Sequence, residues 1–201
     1  MPNTPDIQTT DALIRKALLV RLSHQYPSTK YRIVPELGLW HGAARIDIAV
    51  VNGILHGFEI KSDRDTLSRL DVQMPAYNSV FDKVTLVVGR THLVQAFQTI
   101  PSWWGLETVG VGGDDRVVFN EIREPHSNPN QDVISIVRLL WRNEALDLLE
   151  RIGKADGVRS KPRDAVYQRL ITSLDVQVIK EHVWHVLQHA RESWRPDAQL
   201  A

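Results

Sequence analysis

Apolar residues change their spacing several times along the chain, and each change marks an element. Leu13, Ile14, Ala17, Leu18 and Leu22 recur at helical spacing, which predicts a helix over residues 10–26 with Thr10 or Asp11 as its cap. Residues 31–37 read as extended. Residues 45–61 form two β-prone runs joined by Asn52-Gly53, a strong hairpin signal because both residues tolerate the positive φ of a tight turn. Leu67, Leu70, Met74 and Tyr77 then lie on one stripe and predict a helix over residues 65–80. Pro75 lies inside it, removes a backbone donor and predicts a kink that turns Gln73 away from the face of Tyr77. Residues 83–89 are a continuous apolar run, the pattern of a strand buried on both faces in a parallel arrangement. A short helix over 92–100 follows, then strands over 106–111 and 116–121 around Gly112-Gly113-Asp114-Asp115. The succession predicts an α/β fold with a mixed central sheet flanked by helices.

The pattern changes at Glu124-Pro125-His126-Ser127-Asn128-Pro129-Asn130, a polar stretch rich in turn formers. Helical spacing returns over residues 131–152, 164–173 and 176–194. We therefore expect two regions, an α/β domain over 1–124 and a small all-helical appendage over 125–201. No internal repeat is visible.

Composition narrows the function classes. At 201 residues and 43% hydrophobic content the chain has ample material for a core. Lys plus Arg and Asp plus Glu each number 24, so no global basic field announces nucleic acid, and any such contact must rest on local charge. There is no cysteine, which excludes disulfides, thiolate metal sites and a cysteine nucleophile. Residues 1–6 lack the basic-then-apolar pattern of a signal peptide, and no apolar run approaches membrane-spanning length. The expectation is a soluble, cytoplasmic protein with no membrane partner.

The hairpin carries the candidate chemistry. Glu59 and Lys61 share a strand face while Ile60 points the other way, and folding at Asn52-Gly53 brings Asp47 back beside them. On residue types alone the three charges are either a solvated salt-bridge cluster or a pocket, because Ile48, Val50, Phe58 and Ile60 alternate with them. The chemistry that wants such a pocket is metal-assisted phosphodiester hydrolysis. A hard cation, Mg²⁺ or Mn²⁺, takes one or two carboxylates and a carbonyl, and a nearby ammonium stabilises developing negative charge. Asp47, Glu59 and the carbonyl of Ile60 would supply the ligands, and Lys61 the positive group.

These residues carry a resemblance. Asp47, eleven intervening residues, then Glu59-Ile60-Lys61 resembles the signature of the PD-(D/E)xK, or restriction-endonuclease-like, nuclease superfamily. Ile46 stands where the motif's name has proline, a position that does no chemistry. Glu36, in Val34-Pro35-Glu36-Leu37, falls where many members carry a further acidic residue, and Gln73-x-x-x-Tyr77 is similar to a motif of the branch related to exonuclease domains of bacterial recombination enzymes. Residues 11–89 as a whole look like small, largely uncharacterised bacterial members of the clan. The resemblance implies a metal-dependent deoxyribonuclease in which Asp47, Glu59 and Lys61 are catalytic and Glu36, Asp47, Glu59 and Ile60 hold the metal. DNA is the implied partner; RNA stays open as a substrate, and so does assembly as a homodimer or within a larger complex. A non-catalytic binding or interaction module on the same scaffold is the competing expectation.

Around this core, Arg45, Ser62, Arg64, Gln73 and Tyr77 are candidate substrate contacts, each with a plainer reading as an ion pair, helix start or core residue. Arg45 in particular would pair with Asp47 or touch phosphate. Further on, a helix, Gly153, an extended stretch holding Lys161 and a second helix are similar to a SAP-like helix–extended–helix module. This stretch is either a DNA-backbone clamp or a solvated linker between packed helices. His185 and His189 have the i, i+4 spacing of metal ligands but no third partner, and read as helix-face residues. Trp103-Trp104 reads as a plug between helix and hairpin rather than a base-stacking platform.

Overall fold

A computed structural model of the chain describes residues 8–26, 31–112 and 116–190. The first helix, α1 (Asp11–Gln25), starts where Thr10 accepts a hydrogen bond from the Leu13 amide, one of the four N-terminal donors that lack an intrahelical partner. Strands β1 (Arg32–Leu39), β2 (Ala44–Val51) and β3 (Leu55–Lys61) follow, then α2 (Leu70–Val80), β4 (Lys83–Gly89), α3 (Leu93–Thr99), β5 (Gly105–Val111) and β6 (Val117–Arg123). Among the described residues these strands form one six-stranded sheet in chain order, β1 to β6. The β1–β2, β2–β3 and β5–β6 pairs are antiparallel, whereas β3–β4 and β4–β5 are parallel. The fold is thus α/β with a mixed sheet, and the apolar run 83–89 is its parallel centre. The β2–β3 connection holds Gly53 at φ 91°, but Asn52 is not among the residues of positive φ and Val51 pairs with Leu55. The loop is therefore residues 52–54 and not the tight two-residue turn expected. The hairpin turn expected at residues 112–115 lies mostly outside the described residues.

Each sheet face has its own buried cluster. Ile14, Leu18 and Leu22 of α1 pack on Ile48, Val50, Phe58 and Val87. On the other face α2 and the helices after residue 124 share a second cluster with the sheet, in which Tyr77, Phe81, Leu139, Leu149, Tyr167 and Trp184 are all buried. The expected helix over 131–152 is two helices, α4 (Val133–Val137) and α5 (Arg142–Arg151), because Glu144 folds back to accept from the Trp141 amide and starts a new helix. Helices α6 (Arg163–Ser173) and α7 (Val176–His185) complete the region, and α7 runs into a wider turn over Val186–Ala190. Trp194, placed in the last helix by the sequence pattern, lies outside the described residues. The polar stretch 124–130 is pinned to the sheet side of the molecule: the His126 amide donates to Trp103 and the Asn128 amide to Asp82.

Candidate active site

The site forms where β2 and β3 part. Their ladder runs from Val51–Leu55 to Ile48–Phe58 and ends there, so Asp47 and Glu59 sit just past the last pair. The β1–β2 ladder skips Glu36 opposite Asp47, and Glu36 takes a left-handed φ of 55°. Freed from pairing, the Asp47 carboxylate turns between the strands: Oδ2 accepts from the Ile60 amide at 2.7 Å. Its other oxygen, Oδ1, accepts from Arg15 Nη2 at 2.7 Å. Arg15 also reaches the Asp47 carbonyl (3.1 Å), Glu36 Oε1 (2.8 Å) and Asp11 Oδ1 (3.1 Å), which puts one guanidinium among three carboxylates. Burial works against its charge, but the bonds to Asp11 and Asp47 outweigh it and raise its pKa.

Glu59 points to the α2 face and is 2% exposed. Its Oε1 accepts from Lys61 Nζ (2.7 Å) and Gln73 Nε2 (3.0 Å). Its Oε2 lies 2.8 Å from the Tyr77 hydroxyl. Burial, with Asp47 nearby, pushes the Glu59 carboxyl up to about 7, against the opposing pull of Lys61 and Tyr77. The Tyr77 hydroxyl also lies 2.7 Å from the Arg45 carbonyl and has one hydrogen to give. With Glu59 protonated, the acid donates to Tyr77, Tyr77 donates to the carbonyl, and every group is satisfied. Burial and Glu59 together hold the phenol well above its usual range.

Arg45, Asp47, Glu59, Lys61, Arg69 and Gln73 line one cavity of about 570 Å³, closed on another side by Gly42, Ala43 and Ala44. The backbone there is unusual: Trp40 (φ 48°) and His41 (φ 58°) are left-handed, and with Glu36 they are the non-glycine residues of positive φ among those described. The Trp40 indole N–H, 3.2 Å from both the Ser79 and Ser135 hydroxyls, anchors this turn to α2 and α4. His41 is held below its usual pKa by burial and by Arg163 and Arg138, against the opposing pull of Asp164.

The structure thus brings Asp47, Glu59, Lys61 and Ile60 to one cavity, with Gln73 and Tyr77 behind them. The expected separation of Gln73 from Tyr77 is corrected: Gln73 Nε2 donates to Tyr77 at 3.0 Å, because α2 passes through Pro75 without losing its register. Arg45 pairs with Glu36 at 2.5 Å, not with Asp47, and its side chain is largely exposed at the rim. Glu36 is turned to Arg15 and Arg45 and does not line the cavity. Ser62 is buried and gives both its amide and its hydroxyl to Asp65, which makes it a turn residue. Arg64 is exposed and also does not line the cavity. Lys161 is away from it too; its carbonyl accepts from Arg142, and the loop around it buries Ala155 and Val158. Trp104 is fully buried and donates to Asn78, as a plug should. Arg15 is the residue that sequence reasoning missed: it is 32 positions from its partner, and the one local sign was the i, i+4 spacing to Asp11. Among the described residues no three His, Cys, Asp or Glu side chains are grouped to hold a metal. The carboxylates that line the cavity are Asp11, Asp47, Glu59 and Asp65, of which Asp11 is engaged by Arg15 and Asp65 by Ser62.

The sequence profile of the family described as Bacteriophage P4 protein cII matches residues 7–195. The chain belongs to that family. It is similar to protein cII of Enterobacteria phage P4, at 31% identity over 121 residues, which is 60% of this chain and 46% of that protein. This cII-family chain therefore spans about half the length of the curated relative it matches. The chain is also similar to the SPO1766 protein of unknown function from Silicibacter pomeroyi, at a TM-score of 0.44 and 15% identity, covering 75% of this chain and 94% of that one. No helix among the described residues is long and apolar enough to cross a membrane.

Proposed function

We propose that this chain is a metal-dependent nuclease that hydrolyses DNA phosphodiester bonds with metal-activated water. The observation that carries the reading is the convergence of Asp47, a buried Glu59 and Lys61 on one polar cavity where two strands part. Burying these charges without use would be costly. Two carboxylates and the Ile60 carbonyl suit Mg²⁺ or Mn²⁺, which are bound through few protein ligands and keep several waters. A cation so held supplies a nucleophilic water and neutralises charge on the scissile phosphate. Asp47 is pre-set for this by the Ile60 amide, which fixes its carboxylate plane. Glu59 would lose its proton to solvent on holding the cation, while Gln73 and Tyr77 keep its orientation. Lys61, now bonded to Glu59, turns its ammonium to the attacking water or the phosphate oxygens. Arg45 and Arg69 at the rim meet flanking phosphates.

One observation favours a second reading. Both Asp47 oxygens are already hydrogen-bonded, one of them by Arg15, which suits a closed ion-pair network in a binding or interaction module without turnover. A cleavage assay with Mg²⁺ or Mn²⁺ on plasmid, linear, nicked and single-stranded DNA and on RNA decides between them. The nuclease reading expects turnover that EDTA stops and Asp47→Ala abolishes. Turnover that survives both, or salt-sensitive binding with no turnover, overturns it.

A further inference from the structure

The two edges of the sheet are treated differently. Edge strand β1 is interrupted by Pro35 and the left-handed Glu36, and Arg32 beside it donates to the Leu187 carbonyl, so the C-terminal turn lies against that side. Such features stop an edge from pairing with another chain. The opposite edge, β6, has no proline and pairs regularly with β5 from Val117 to Glu121; one extra residue, Ile122, then shifts the register before Arg123. The one strand neighbour of β6 among the described residues is β5. Exposed apolar side chains gather beside it: Leu13 and Val20 on α1, Val94 and Phe97 on α3, and Val118 and Ile122 on the strand itself. All of these but Val118 line two grooves, one on each side of the sheet. The first lies between α1 and Phe119, and the second between α3 and Ile122.

We infer that a second copy of this chain occupies the edge, through antiparallel pairing of β6 with β6 about Asn120. The strand is self-complementary in that register. Side chains opposite one another in an antiparallel pair share a face, so Val118 of each copy lies beside Ile122 of the other, on the α3 side. On the α1 side Glu121 of the partner copy falls beside Phe119, in a groove whose charged residues are Lys16, Arg21 and Arg116, all basic. Glu121 gains from this, because its neighbour across the β5–β6 ladder is Glu107. The pairing fills the ladder positions that β6 leaves open, covers both grooves and joins the two sheets into one closed twofold assembly. It does not rest on the nuclease reading, since the cavity lies at the β2–β3 junction.

The absence of native cysteine makes a direct test possible. In the proposed register the two Asn120 positions face each other across the axis with Cα atoms roughly 4.5–5.5 Å apart, within disulfide reach. The 201-residue Asn120→Cys variant should form a covalent dimer on mild oxidation, while Val176→Cys, an exposed position on α7, should show no such crosslink. Analytical ultracentrifugation of the native chain from about 1 μM upward should show twice the monomer mass. The Val118→Lys/Ile122→Lys variant should halve that mass with an unchanged far-ultraviolet circular dichroism spectrum. A native chain that is monomeric throughout overturns the inference and leaves the edge to a strand of some other protein. So does a dimer that neither crosslinks at residue 120 nor responds to the double substitution.

Discussion

Glu59 keeps its proton up to about pH 7 because burial and the nearby Asp47 both disfavour its charge. That has a consequence for stability. An acid whose folded pKa lies above its unfolded value binds more protons when folded, so stability is lost as pH rises between the two values. Here the window runs from 4.5 to about 7, and the slope due to this group is at most about 1.4 kcal/mol per pH unit. Glu59→Gln keeps the shape and removes the titration, so the fall in melting temperature across that window should be smaller in the variant than in the native chain. Equal slopes by thermal denaturation would show that Glu59 is not the group responsible. The same proton bears on chemistry: if Glu59 must ionise to act as a ligand, Mg²⁺ affinity measured by calorimetry should rise with pH toward about 7 and be accompanied by proton release. Lys61→Ala should lower cleavage by roughly 10²–10³-fold, the usual effect of losing one donor to developing charge, with little change in melting temperature. Val51 pairs with Leu55 across a three-residue loop, where a tight Asn-Gly turn would have paired it with Ile54, so the loop set the register of the site. The meeting of Asp47, Glu59 and Lys61 on one hairpin was nonetheless legible. The place of Arg15 was not, since a guanidinium on a helix takes whichever acids the packing brings to it.

At the scale of elements, the sheet was the most readable part, for each strand carries its own apolar run and turn chemistry. Helix starts were less so. The stripe from Leu67 suggested a helix from residue 65, but Asp65 is held by Ser62 in a turn and regular helix begins at Leu70. Pro75 misled in the other direction. A missing amide costs one intrahelical bond, whereas the contacts of Met74, Tyr77 and Val80 with the core hold the helix on course. The end of β4 shows how closely neighbouring segments meet behind the site. A Cβ on Gly89 would stand 2.6 Å from the Asp63 amide, in the loop that leaves Lys61 and is tied to Thr9 and Thr91. Gly89→Ala should therefore cost about 1–3 kcal/mol in chemical denaturation. It should also reduce activity, because the Asp63 loop cannot move without shifting the strand end that carries Lys61.

Over the whole molecule, composition gave the right amount of core but not its distribution. A polar, proline-containing stretch between an α/β pattern and a helical one suggested an appendage. Yet the helices beyond it bury Leu139, Leu149, Tyr167 and Trp184 in the cluster that also holds Tyr77 and Phe81. Long-range packing of this kind leaves no local mark, because each helix shows an apolar stripe without saying what it covers. A chain cut after residue 124 should accordingly lose its cooperative thermal transition, and a sharp native-like melt would show that the first region folds alone. Trp40 sets one further relation between the parts. A single indole proton lies between hydroxyls on α2 and α4, so the glycine-bearing lip of the cavity is pegged to the seam between sheet and helical bundle. Any force that pries that seam open must either tear out the peg or drag the lip with it, and the mouth of the pocket would widen or narrow with the posture of the bundle.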